Sequence, residues 1–298
     1  MLNTPSNIKF INYFKIFNLL SALLILFSII SIIYKGLNFG IDFKGGTLIE
    51  LRVESSEIRI NDIRSSFLKM NLGDVSVKKF GEENDYLVKF ENTGQKSKIE
   101  NIKNELLNDL GNNFSFRRVE NVGPKVSKEL LRSGLIAICL SLSAMLFYIW
   151  IRFEWQFSLG AIIALIHDVI ITMGFFSVLE FEINLSIVAA LLTIVGYSMN
   201  DTVVIFDRVR ENLRKYSSKD INEISNLSIN ETLSRTIITS STTLFALLSI
   251  FFFGGEILNG FSFAMILGVI FGTYSSIFIA NPILIFLKVN QDSFLKNK

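Results

Sequence analysis

Apolar residues run in long unbroken stretches through most of this chain and alternate with polar ones in only one part of it. Six stretches stand out: roughly Ile16 to Tyr34, Ser133 to Ile151, Gln156 to Leu179, Leu185 to Phe206, Ile237 to Phe253 and Phe261 to Leu287. Each offers close to the about 20 apolar residues that a helix needs to cross about 30 Å of hydrocarbon, so six transmembrane helices are predicted. Between Gly36 and Arg132 the period changes. Thr47, Ile49, Leu51 and Val53 alternate with polar neighbours as a strand, Asn61 is expected to cap a helix to about Met70, and Val75 to Phe80 and Tyr86 to Phe90 follow as strands. An amphipathic helix through Ile99, Ile102, Leu106 and Leu110 and a last strand from Phe114 to Val119 complete the order β-α-β-β-α-β. That order is a ferredoxin-like arrangement, a fold that by itself implies no function. The fold class is therefore an α-helical polytopic membrane protein with a small α+β ferredoxin-like domain between helices 1 and 2. The expected divisions are 1–35, 36–132, 133–287 and 288–298.

Charge adds an orientation. Lys9 and Lys15 precede the first stretch, Arg152 follows the second, Arg208, Arg210, Arg214, Lys215 and Lys219 follow the fourth, and Lys288 follows the sixth. The turns at Glu180 to Asn184 and Gly254 to Gly260 carry neither lysine nor arginine. The positive-inside bias then places both termini in the cytoplasm and the α+β domain outside, as expected for a multi-pass protein of the cytoplasmic (inner) membrane. The first stretch has no small-residue cleavage site after it and reads as a retained helix.

Composition agrees and excludes some chemistry. Half of the 298 residues are hydrophobic, 28 are phenylalanine, and the formal charge is only +2, so no nucleic-acid partner is implied and membrane lipid is the expected surrounding. Cys139 is the sole cysteine and His167 the sole histidine, which excludes an internal disulfide and argues against a metal site. No phosphate-binding Walker string and no nucleophile triad can be assembled, so neither an enzyme nor a cofactor is expected.

Ionisable groups inside apolar spans cost at least about 2.5–3.5 kcal/mol each and mark candidate sites. Asp201 lies about 9 Å, two helical turns, before the charged cluster that opens with Asp207. Arg235 opens the fifth span, and positions 235, 239, 242 and 246 share one helical face, so Arg235 heads a stripe of hydroxyls. Because the fourth and fifth spans are joined on one side, Asp201 and Arg235 are expected at comparable depth and able to pair. The alternative is that Asp201 caps a helix end and Arg235 reaches to lipid headgroups. His167 and Asp168 fall near the middle of the third span, either as a second proton-carrying position or as groups bonded to neighbouring backbone and hydroxyls. Gly268, Gly272 and Ser276, with Ala280, form a small-residue stripe expected to pack helices closely. Pro282 should kink or end the last helix, and the alternating Arg and Glu of 208–234 read as a solvated face.

Particular strings resemble the SecD/SecF family, accessory subunits of the bacterial Sec translocon in the resistance-nodulation-division superfamily, with the closer likeness to the smaller member of the pair. They are Phe39-Gly40-Ile41-Asp42-Phe43-Lys44-Gly45-Gly46-Thr47, Val122-Gly123-Pro124, Phe153-Glu154-Trp155 and Ala164-Leu165-Ile166-His167-Asp168-Val169. Gly196-Tyr197-Ser198-Met199-Asn200-Asp201-Thr202-Val203-Val204, Asp207-Arg208-Val209-Arg210-Glu211-Asn212 and Ser234-Arg235-Thr236 continue them. The resemblance implies half of a twelve-helix unit made with a SecD-like six-helix subunit, working beside the SecYEG translocon and YajC on exported unfolded polypeptide. It also implies that proton entry drives the cycle, with protons as the coupling ion, Asp201 the relay carboxylate and Arg235 its cationic partner. Two rivals stay open: a proton-coupled exporter of small molecules or lipids, and a scaffold that transports nothing and clamps the translocon. The modest size of the α+β domain, one ordinary small fold, argues against a deep cargo cleft.

Overall fold

The computed structural model describes residues 8–54, 58–81, 84–91, 99–216 and 219–289. The expected terminal segments 1–35 and 288–298 are therefore described only from 8 and up to 289. Two compact units result. One gathers Phe39–Ile136 with Glu182–Leu185, and the other Met1–Asn38, Ala137–Phe181 and Ser186–Lys298.

The first unit is built on β1 (Gly46–Val53), β2 (Val75–Lys79), β3 (Asp85–Phe90) and β4 (Phe114–Val122), a sheet in the order β2-β3-β1-β4 with every pair antiparallel. With the helices between β1 and β2 and between β3 and β4, this is the ferredoxin-like topology that the alternation predicts. Registers Ile49↔Val88 and Leu51↔Tyr86 put the apolar members of β1 and β3 on one face. Ile49, Leu51 and Val88 are fully buried there under Ile63 and Phe67 of one helix and Ile102 and Leu106 of the other. A strand's two-residue period makes this face apolar.

Numbered in chain order, the helices are α1 (Ile11–Lys35), α2 (Ile41–Lys44), α3 (Ile60–Lys69), α4 (Ile99–Leu110), α5 (Pro124–Arg152), α6 (Trp155–Leu179), α7 (Leu185–Lys215), α8 (Ile221–Phe253), α9 (Glu256–Ser275) and α10 (Asn281–Phe286). Asn61 is not the cap of α3: the helix opens one residue earlier, and the Arg59 N–H donates to Asp62 Oδ2 at 2.8 Å. An aspartate on the first turn serves the free amide and suits the helix dipole.

Among the described residues six helices are long and apolar enough to cross a membrane, and the protein is a multi-pass membrane protein. Half of the apolar window is buried in α6 and in α7 and 61% in the last span, against 17%, 11% and 17% in α1, α5 and α8, so α6, α7 and α9 form the inner layer of the helical unit. Small residues bring them together. A Cβ at Gly174 of α6 would lie 2.8 Å from Ser28 Cα of α1, and one at Gly160 would lie 2.9 Å from the Ala280 carbonyl.

Of the two readings of Pro282, ending the helix is the one set aside: Ser276–Ala280 form a π turn, and α10 continues with the proline in its first turn. Proline has no N–H to give and its ring crowds the preceding turn, so widening the turn ahead of it lets the chain stay helical. The segment 208–234 is not one solvated face, because α7 runs on to Lys215 and α8 starts at Ile221. Asn212 of α7 and Ser228 of α8 are buried and bonded to each other, and Ser225 is buried with its hydroxyl on Asn281 Oδ1 of α10.

Candidate functional site

Asp201 sits on α7 and is 3% exposed. The Ser240 hydroxyl of α8 lies 3.4 Å and that of Thr273 of α9 3.2 Å from its Oδ2, and the two hydroxyls bond each other at 2.7 Å, so one donates to its neighbour and the other to the carboxylate. One carboxylate therefore gathers hydroxyls from two other helices, and among the described residues no cation forms an ion pair with it. Arg235 does not make the expected pair. It lies exposed, whereas the face of α8 turned inward carries Thr232, Thr236 and Ser240 at four-residue intervals. The stripe headed by Arg235 is turned outward by the same helical geometry, and its hydroxyls fall back on their own helix: Thr239 donates to the Arg235 carbonyl at 3.0 Å and Thr242 to the Ile238 carbonyl at 2.9 Å.

Asp168 is more enclosed still, fully buried in α6 beside His167 at 1% exposed. Its Oδ2 accepts from Ser198 of α7 at 2.6 Å and Ser275 of α9 at 2.8 Å, and Oδ1 lies 2.9 Å from His167 Nδ1. The imidazole stacks on Tyr274, whose hydroxyl donates to the Phe17 carbonyl of α1 at 2.7 Å. His167 Nε2 is buried with no hydrogen-bond partner among the described residues. A neutral imidazole that donates from Nδ1 to the carboxylate leaves only a lone pair there, the cheaper of the two unmet groups. Bonding to hydroxyls, one of the two readings open for this pair, is what the geometry contains.

Both carboxylates are served from one turn of α9, by Thr273 and Ser275 on either side of the stripe of small residues, and that stripe makes the approach close. A side chain at Gly268 would collide with Ile194, and a Cβ at Gly272 would sit 2.9 Å from Ser198 Cβ. Ser276 does more than pack, since its hydroxyl bonds Thr202 at 2.8 Å and donates to the Gly272 carbonyl at 2.8 Å. Ser198, Ser240, Thr273 and Ser275 are the members of the site that the sequence does not single out. The signals for Ser198 are its position about one helical turn before Asp201 and its place in the Gly196–Val204 string. Among the described residues no group of three or more His, Cys, Asp or Glu side chains is placed to hold a metal ion.

A third polar cluster ties two strings of the sequence together at the other end of α7. Arg208 Nε donates to Glu231 at 2.6 Å, Asn212 Nδ2 to the same Glu231 oxygen at 2.7 Å and to Ser228 at 3.0 Å, and Arg152 pairs with Asp207 at 3.0 Å. Arg210 pairs with Glu154 at 3.3 Å and stands over the Phe153 ring. Each polar member of Asp207-Arg208-Val209-Arg210-Glu211-Asn212 thus has a partner, two of them reaching the turn that carries Phe153-Glu154-Trp155.

Against known proteins, residues 102–290 match the family model described as protein export membrane protein SecD/SecF, C-terminal, and residues 30–57 match the SecD/SecF GG motif. The chain belongs to the SecD/SecF family. Its curated relatives in that family include the protein translocase subunit SecF of Rickettsia bellii, 46% identical over 95% of this chain and 94% of that one. SecF of Rickettsia conorii is 47% identical over 95% of this chain and 93% of the relative. Among solved structures, SecDF of Thermus thermophilus, described as a translocon-associated membrane protein, superposes with a TM-score of 0.85 at 33% identity. That match covers 97% of this chain and 39% of the SecDF chain, so this family member spans well under half of the SecDF chain it resembles. A second SecDF structure, in a super-membrane-facing form, gives a TM-score of 0.72 at 32% identity.

Proposed function

We propose that the chain is an auxiliary subunit of the Sec protein-export machinery, driven by the proton-motive force through reversible protonation of Asp201. The observation that carries the reading is the setting of Asp201: a buried carboxylate on one central helix, beside hydroxyls from two others and, among the described residues, in no ion pair. A hydrogen bond to a charged group is worth about 1.5–3 kcal/mol, and protonation of the carboxylate weakens it. One proton falling through 100 mV yields about 2.3 kcal/mol, enough to tip helices between packings that differ by bonds of this size. Asp168, with its partner His167, stands in the proposed relay as a second proton-holding position, joined to α7 and α9 by Ser198 and Ser275. Arg235, exposed in this arrangement, would meet Asp201 only in another packing of α8.

In this reading the coupling ion is the proton, no cofactor is used, and no bond of the cargo is broken. The chain sits in the cytoplasmic membrane with both termini in the cytoplasm. It completes a twelve-helix unit with a SecD-type six-helix partner and works beside SecYEG and YajC on unfolded polypeptide. The likeness to a translocon-associated SecDF chain of more than twice this length supports that assembly.

The test is Asp201→Asn, which keeps volume and hydrogen bonding but cannot gain or lose a proton. Translocation of a preprotein into inverted vesicles is measured with ATP, with and without an imposed proton gradient. The variant is expected to insert at normal levels and to lack the gradient-dependent increment. A full increment in the variant removes Asp201 from the relay and also leaves the scaffold reading standing.

A further inference from the structure

The string from Phe39 to Thr47 has no part in the site above, yet every polar or glycine position in its first half touches one short turn. Gly40 N–H donates to the Ile183 carbonyl at 2.9 Å, and Phe39 and Ile183 form a parallel β-bridge. Gly40 faces the Glu182 side chain so closely that a Cβ there would collide with it. Glu182 is in turn ion-paired with Lys89 of β3. Asp42 Oδ2 accepts the Leu185 N–H at 2.9 Å, and Leu185 is the first residue of α7. By their contacts Glu182–Leu185 belong to the same unit as the sheet.

The second half of the string fixes the first. Gly45 and Gly46 have φ of +80° and +135°, and a Cβ on Gly46 would stand 2.7 Å from the Phe90 carbonyl oxygen of β3. Only glycine accepts both the conformation and the approach. Gly45 N–H closes the short helix α2 on the Ile41 carbonyl at 2.8 Å, so Asp42 is held at a set distance from the start of β1.

We infer that Phe39–Gly46 is a clasp on the Glu182–Leu185 turn, and that Asp42 is a positioning residue whose capping of α7 ties the motion of the relay helix to the central β1–β3 pair of the sheet. The inference rests on the reading of α7 as the relay helix. An aspartate at a helix start satisfies a free amide and complements the helix dipole. Sixteen residues of continuous helix, about 24 Å, separate Leu185 from Asp201, so a firm first turn passes a shift along the rod while a frayed one absorbs it.

The experiment compares Asp42→Ala with Asp42→Asn in the full chain. Amide hydrogen exchange over residues 185–189 is followed by mass spectrometry in detergent, and the gradient-dependent translocation increment is followed in vesicles. Asp42→Ala is expected to exchange about five-fold faster there, the effect of losing one cap of ordinary strength, and to lose most of the increment. Asparagine caps as well as aspartate, so Asp42→Asn should restore both. Unchanged exchange in Asp42→Ala, or an Asp42→Asn variant as impaired as Asp42→Ala, overturns the cap. Faster exchange with the increment intact overturns the coupling. In a second arm, with Cys139→Ser, the pair Phe39→Cys and Ile183→Cys is oxidised; a locked clasp should retain the increment, and its loss would show that the clasp must open. If Asp201→Asn keeps its increment while Asp42→Ala still speeds exchange, the relay fails and the clasp survives.

Discussion

Gly272→Ala separates the packing of α9 on α7 from the chemistry that this packing serves. The added Cβ would stand 2.9 Å from Ser198 Cβ and 3.1 Å from Ser198 Cα, the latter a backbone atom that cannot turn aside. Carbon atoms in ordinary contact are about 3.5–4.0 Å apart, so α9 must retreat by roughly 0.6–1 Å. Thr273, the next residue, reaches Asp201 at 3.2 Å. Hydroxyl-to-carboxylate bonds are ordinarily made at about 2.5–3.0 Å, so this contact is already long and a retreat of that size breaks it. Overpacking costs about 1–3 kcal/mol, and alanine returns about 1 kcal/mol over glycine inside a helix. The net loss of stability, about 0–2 kcal/mol, leaves the protein folded with the Thr273 hydroxyl withdrawn from Asp201. The control is Gly196→Ala on α7, where a Cβ meets nothing within 4 Å and only the helix gain applies. Thermal stability in detergent and the gradient-dependent translocation increment are measured for both. Gly272→Ala is expected to melt within a few degrees of wild type and to lose most of the increment, and Gly196→Ala to keep all of it. If the two glycine variants behave alike, close approach of α9 to α7 is not what arms Asp201.

Arg235→Met should leave thermal stability within about 0.5 kcal/mol of wild type, because the side chain is exposed and unpaired with Asp201, and should lower the increment. Strictly additive losses with Asp201→Asn would show that the two never meet in the cycle. In the α+β unit, the hydrogen bond from Arg52 is the chief reason the Asp85 carboxyl is held below its ordinary value of 3.8; burial opposes it, and Arg117 assists. A lowered aspartate contributes stability that is present above 3.8 and lost as pH falls through its folded value. Exchange of the β1 and β3 amides should therefore be insensitive to this group above about pH 5 and should reveal easier opening below about pH 4. Asp85→Asn should remove that dependence.

Much of the architecture follows from one-dimensional pattern. The alternation at Thr47–Val53 and the four-residue rhythm of Ile102 and Leu106 reappear as the two sides of one core. Helix ends were harder to read. The charges of 208–234 look solvated in sequence, but Arg208, Asn212 and Glu231 satisfy one another between helices, a pairing across 19 to 23 residues that no local period encodes. In the site, an ionisable residue inside an apolar span announces itself, so Asp201, Asp168 and His167 were legible. Serines and threonines do not, because lone hydroxyls in membrane helices commonly bond their own backbone.

The sequence by itself determined that six apolar helices and one alternating domain form, because those outcomes depend on periods of 3.6 and 2 residues and on the cost of exposing backbone to lipid. It also marked the carboxylates, since burying charge is expensive wherever the chain goes. Only the tertiary structure decided which groups meet them. Arg235 and Thr236 are neighbours in the chain, yet the turn of about 100° between them sends one outward and sets the other beside the buried Ser240. Whether Asp201 faces a guanidinium or two hydroxyls is settled by how α8 rotates against α7 and α9. That rotation is the sum of many side-chain contacts, and no residue of the site carries it alone.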